Sequence, residues 1–338
     1  MKHNKIWCVL LALCVLSGCG RGETIPSAEI SSQEDPAAST PTAETQPGET
    51  AVVENIPEAT VPTAGFLLKS TGSYEAPPFA DAQFHDTEAV DGVKIDLSAT
   101  AEGYVAVSAK SDARLKFQVL KDEATYTYNI ASDGTPSIFP LQCGNGLYTF
   151  RVMENVVDSK YAMKHSVDAE VQLQDEFQPY LRPSDYVPYA EDSLCVTEAK
   201  ELASKADSEL DVVVAVFDYI CDHIVYDQAK AENVSKSYLP NPDDTLKTGK
   251  GICFDYASLA AAMLRSQGIP TQVIFGYVSP DNLYHAWNMF YTEETGWVTV
   301  DYQVPKDSWN RLDLTFSANG ADDKFIGDGG NYVDVYMY

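Results

Sequence analysis

The 338-residue chain carries 50 acidic against 23 basic side chains, a formal charge of −27, and seven cysteines. A field of that sign repels polyanions, which excludes nucleic acid as a partner and leaves no basic patch to hold anionic lipid headgroups. Cys143, Cys195, Cys221 and Cys253, the cysteines that follow Cys19, show no Cys-x-x-Cys spacing of the kind a zinc ribbon needs.

In chain order, Lys2 and Lys5 precede an apolar run from Ile6 to Leu16, too short for a bilayer span of about 20 residues. Residues 1–18 therefore read as a signal peptide. The run closes on Leu16-Ser17-Gly18-Cys19, which resembles the lipobox of bacterial lipoproteins. That resemblance implies a lipid on Cys19, so that the membrane partner is reached through the lipid and the protein is exposed outside the cytoplasm. Residues 19–65 hold no aromatic side chain and mix Pro, Thr, Ser, Ala and Glu, too little apolar surface to offset the entropy of ordering. An acidic, disordered tether is expected there.

Residues 66–178 show short runs of alternating apolar and polar residues. These are Val93–Leu97, Gly103–Ser108, Leu115–Leu120, Thr125–Ile130, Leu147–Val152 and Val167–Leu173, with turn signals at Ser132-Asp133-Gly134 and Asn145-Gly146. The pattern predicts half-buried strands of an all-β, sandwich-like domain, a spacer or binding module without catalytic pattern. From residue 179 the period becomes helical. Val212, Val213, Val216, Phe217, Ile220 and Ile224 recur behind a capping-box-like start at Ser208. Breaks are expected at Asn241–Thr245 and Thr248–Gly251, then a helix over 252–267 stopped by Gly268-Ile269-Pro270. Strands should follow at 271–277, 284–291, 297–301 and 332–338. The fold class expected is thus α+β, with the second domain at 179–338.

Cys253 opens the helix over 252–267, where free N–H groups and the helix dipole favour a thiolate. Gly249 and Gly251 leave the approach to that terminus open, and the Cys253 N–H is a candidate oxyanion donor. His285 begins one strand and Asp301 ends the next. A hairpin turning at Thr292–Gly296 would make them neighbours, with Asp301 orienting the imidazole while its other nitrogen takes the Cys253 proton. Asp255 reads as a helix cap in preference to a substrate contact, and Trp287 as core in preference to a site wall.

Gly251-x-Cys253-x-Asp255-Tyr256-Ala257, Gly268-Ile269-Pro270 before a strand ending in Gly276-Tyr277, His285-Ala286-Trp287, and Gly296-Trp297 followed by Asp301 resemble the core of the transglutaminase-like superfamily, placed with the papain-like cysteine enzymes. The resemblance spans about residues 195–305. It implies a catalytic helix packed on an antiparallel sheet, with Cys253 as nucleophile, His285 as general base and acid, and Asp301 as orienting residue. Asp301 is followed by Tyr302 where the family often has proline. Tyr226 and Tyr238 are candidate side-chain oxyanion donors. No acidic calcium loop is evident, and His165, His223 and His285 lack ligand-like spacing, so neither metal nor cofactor is expected.

Two functions follow. One is a surface-tethered cysteine enzyme acting on protein, peptide or cell-wall amides through an acyl-thioester, by hydrolysis or transamidation. The other is a non-catalytic binding or scaffold lipoprotein built on the same fold. Export permits a disulfide, for which Cys195 and Cys221 are a candidate pair.

Overall fold

The computed structural model describes residues 72–235, 237–278, 283–303, 313–317 and 332–338. Residues 1–18, expected as a signal peptide, and residues 19–65, expected as a tether beginning at Cys19, lie outside these residues. The described residues belong to one compact unit of α+β architecture.

Its first part holds β1 (Val93–Asp96), β2 (Tyr104–Ala109), β3 (Leu115–Lys121), β4 (Ala124–Ile130), β5 (Ser137–Pro140), β6 (Gly146–Val157) and β7 (Lys160–Val171). They form two antiparallel sheets, ordered β1-β2-β5 and β4-β3-β6-β7. Strand alternation explains the packing: Leu115, Phe117 and Val119 are buried while Lys116 and Gln118 between them are not. Phe117 stacks on Phe139 of the other sheet at 5.4 Å, and Tyr128 lies 4.1 Å from the same ring. Two-residue turns close β3–β4 and β6–β7, where Asp122 (φ 52°) and Asp158 (φ 53°) take the left-handed conformation that Asp tolerates better than most residues.

Two features depart from the alternation. β5 is a four-residue strand ending in Pro140, and it survives as a strand because it is an edge of its sheet, where a missing N–H costs little. β6 and β7 run well beyond the expected Leu147–Val152 and Val167–Leu173. Their outer halves are mostly polar or exposed and carry register irregularities, so no clean period marks them in the sequence.

The second part runs α1 (Leu194–Ala203), α2 (Glu209–His223), β8 (Val225–Tyr226), α3 (Gln228–Asn233), α4 (Pro242–Thr248), β9 (Lys250–Gly251) and α5 (Cys253–Ser266). It continues with β10 (Thr271–Val278), β11 (Leu283–Thr292), β12 (Gly296–Gln303), β13 (Asp313–Ser317) and β14 (Tyr332–Met337). The last five strands make one antiparallel sheet, ordered β13-β12-β11-β10-β14. Helix α2 starts as its cap predicts, with the Ser208 hydroxyl accepting from Asp211 N at 3.2 Å. The break expected at Asn241–Thr245 is instead the start of α4. Asn241 accepts from Asp244 N at 3.1 Å, and Pro242 sits in the first turn, where its missing N–H has no intrahelical role.

Helix α5 is buried on all sides: every residue from Phe254 to Ser266 is buried. It is packed by α1, α2 and α4 as well as by β10 and β11. The two parts share this core. Gln142 Nε2 donates to the Met337 carbonyl at 3.0 Å, and the Tyr338 ring stacks on Tyr186 at 4.4 Å with Tyr126 and Tyr128 each 5.7 Å away. Cys143, Cys195, Cys221 and Cys253 are all free thiols, so Cys195 and Cys221 do not form the disulfide considered for them.

Candidate active site

Cys253 is the first residue of α5, half-buried, behind the extended N-cap Ile252. The two glycines before it have different reasons to be glycine. Gly249 ends α4 in the left-handed region (φ 63°), its N–H donating to Thr245 O at 2.9 Å. Gly251 lies so close to the helix that a Cβ there would meet the Asp255 Cβ at 2.6 Å. Strands β8 and β9 then pair in parallel, which lays Tyr226 beside Gly251.

Two tyrosines sense the Cys253 side chain. Burial pushes the Tyr226 hydroxyl up to about 12, and the charges of Cys253 and Asp255 add to the shift. Tyr284 is also raised to about 12, by burial first, then by Tyr336, Tyr277, Tyr186 and Cys253. Tyr284 directly precedes His285, so the start of β11 lies by the start of α5.

His285 pairs with Gly276 across β10–β11, and its ring lies near-parallel to that of Trp287, with centroids 6.4 Å apart. Trp287 is 1 % exposed, core as expected. The β11–β12 ladder runs from Thr292–Gly296 to Asn288–Val300. Asp301 follows the last residue of that ladder on β12, and His285 lies three residues before its last residue on β11. The fold thus brings His285 and Asp301 to adjacent strands, and Cys253 to a helix laid against the first of them.

Asn288, which the sequence reading passed over, ties helix to sheet. Its side-chain amide donates to Ala257 O and Gln272 O, each at 3.0 Å, from a wholly buried position. A lone amide among the apolar and aromatic residues of β11 was the available signal.

Asp255 acts as the cap, accepting from Ile252 N at 2.8 Å. It does more, because Lys230 Nζ lies 2.6 Å away and the Tyr238 hydroxyl also donates to it. Lys230 in turn donates to the Tyr238 oxygen at 2.7 Å. With its proton on Asp255, Tyr238 no longer suits an oxyanion donor. Tyr226 keeps that candidacy. Among the described residues no three His, Cys, Asp or Glu side chains are grouped to hold a metal ion.

A buried helix opening on cysteine and packed on an antiparallel sheet, whose successive strands carry histidine and aspartate, defines the papain-like class of α+β fold. Residues 197–302 match the family model of the transglutaminase-like superfamily, and this segment is a transglutaminase-like domain. The superfamily typically comprises cysteine-dependent enzymes. The matched segment includes Cys253, His285 and Asp301. Human kyphoscoliosis peptidase is 33% identical over 111 residues, a stretch covering 30% of this chain and 16% of that protein. A protein-glutamine gamma-glutamyltransferase of Pseudomonas aeruginosa is 39% identical over 77 residues, covering 18% of this chain and 12% of the relative. The chain therefore spans only a small part of the length of these relatives. The structure of red sea bream transglutaminase aligns with a TM-score of 0.27 and 11% identity, covering 62% of this chain and 49% of that one.

Proposed function

We propose that the protein is a cysteine enzyme that opens amide bonds through an acyl-thioester. The observation that carries the reading is the position of Cys253 at the N-terminus of α5, against the strand that bears His285. First-turn N–H groups have no intrahelical acceptor and favour negative charge on that sulfur. His285 takes the thiol proton, and the thiolate attacks the amide carbonyl. The C–N bond then breaks as His285 returns the proton to the leaving amine. Asp301 orients the imidazole and stabilises its cation. Water or an amine releases the acyl group, giving hydrolysis or transamidation.

The oxyanion is held by the Cys253 N–H and the Tyr226 hydroxyl, a donor of the kind whose loss costs about 10²–10³ in rate. The other thiols suit structural roles: burial raises the pKa of Cys143 and pushes that of Cys195 up strongly, which keeps both protonated. With a lipid on Cys19 the enzyme stands outside the cytoplasm, which favours protein, peptide or cell-wall amides as substrates. Cys253→Ala should abolish amide turnover and leave the melting temperature unchanged, and iodoacetamide should alkylate Cys253 first. Alkylation of Cys143 or Cys221 with Cys253 untouched, or turnover retained in Cys253→Ala, would sink the reading.

A further inference from the structure

We infer that Asp255, Lys230 and Tyr238 form a positioning cluster that fixes the Tyr226 hydroxyl against the Cys253 side chain, an assignment that rests on Cys253 being the nucleophile. Capping alone does not account for it. A cap needs one acceptor for Ile252 N and is worth about 1 kcal/mol, whereas withdrawing a carboxylate from water costs several. Asp255 is fully buried, and Lys230 is 30 % exposed as its pair. Tyr238 completes the shell around the carboxylate, its ring edge-on to Phe254 at 6.3 Å.

The cluster reaches Tyr226 through a short, closed path. Lys230 N donates to the Asp227 carboxylate at 2.9 Å, Asp227 N donates to Gly251 O at 2.8 Å, and Val225 N to Gly249 O at 2.9 Å. Tyr226 is thus held between two anchored neighbours, with Gly251 opposite it and Asp255 pressed against Gly251. The same carboxylate holds α3 through the Lys230 side chain and the first turn of α5 through Ile252 N. Loosening it lets β8 shift against α5, which moves Tyr226 relative to the sulfur. None of the three side chains is assigned to touch the reacting atoms, so their effect passes through Tyr226.

The test is a double-mutant cycle in the full chain, read as peptide and ammonia release from casein. Lys230→Met, Asp255→Asn and Tyr238→Phe should each lower kcat by roughly 10–100-fold with KM within about twofold, as loss of a supporting shell does. In a Tyr226→Phe background each should cost less than about threefold further, because the group being positioned is gone. Lys230→Arg should recover most of the rate. If Asp255→Asn does not fold, Tyr238→Phe, which keeps the ring, carries the cycle. Losses that multiply in the Tyr226→Phe background, or variants that melt lower with kcat intact, would overturn the assignment. Turnover that survives Cys253→Ala, or none in the unmodified chain, removes the nucleophile reading and this one with it. Turnover abolished in Cys253→Ala together with multiplicative losses removes the positioning role alone.

Discussion

The β part and the helix-containing part bury their cores by different means. In the β part each strand hides one face, and both hairpins, β3–β4 and β6–β7, lie in one sheet, so the core is an interleaving of alternate residues. In the second part α5 hides every face, and Ala257, Ala260, Ala261 and Ala262 let helices and sheet approach closely around it. The difference is instructive for function. A thiol displayed by a fully enclosed helix has its position set from all sides, while the sandwich presents only its outer faces.

Substitutions can break or sharpen that contrast. The largest expected effect is at Arg265, a wholly buried guanidinium pulled down to about 10 by desolvation. It donates to Thr271 O, Arg182 O and Tyr338 O at 2.8, 2.9 and 3.0 Å, linking α5 to the sheet and to the segment that leaves the sandwich. Arg265→Ala removes three hydrogen bonds from a charged donor, although Tyr338 O still accepts from Val273 N, and should cost about 5 kcal/mol in chemical denaturation.

Phe117→Ala, in the middle of the sandwich, should cost about 4 kcal/mol. Because the core is continuous, tryptophan fluorescence, to which residues 66–178 contribute no tryptophan, should lose its signal in the same transition as far-UV circular dichroism. Two separated transitions would show the parts to be independent. Ser208→Ala removes the α2 cap and should cost about 1 kcal/mol, with little change in alkylation of Cys253.

The smallest effect concerns pH. Asp96 is 4 % exposed and accepts from His85 N, Ser98 N and the Ser98 hydroxyl at 2.7, 2.9 and 2.6 Å. Burial raises its pKa, but these bonds outweigh burial and leave it below the ordinary 3.8. A carboxyl with a depressed folded pKa stabilises the fold above its unfolded value and loses that contribution as pH falls through the folded one. Asp96→Asn should therefore flatten the stability curve below about pH 4 and nowhere else, as urea titrations across pH would show.

Much of this was legible in the sequence because the governing physics is local. The period of two in Leu115–Leu120, the Ser208 cap, and the glycines around a cysteine that starts a helix each act within a few residues. Misreadings occurred where one residue type has two local meanings. Asn241-Pro242 stops a helix from the inside and starts one from its first turn, and position decides which. β5 and the outer halves of β6 and β7 carry no period that their pairing would require. The candidate site divides the same way. Cys253, His285 and Asp301 stand out as residue types in order, whereas Asn288, Lys230 and the second role of Asp255 depend on partners 16 to 31 residues away.

By itself, then, the sequence determined the α+β class, the helix that begins at Cys253, and the two strands that carry His285 and Asp301, because each is written in short-range patterning. Only the tertiary structure decided the register, in which Asn288 pairs with Val300 across β11–β12. It alone placed Tyr226 beside Gly251, two residues before Cys253, and committed Tyr238 to Asp255. Register, burial and the pairing of a buried charge arise from contacts between distant segments, and no local period encodes them.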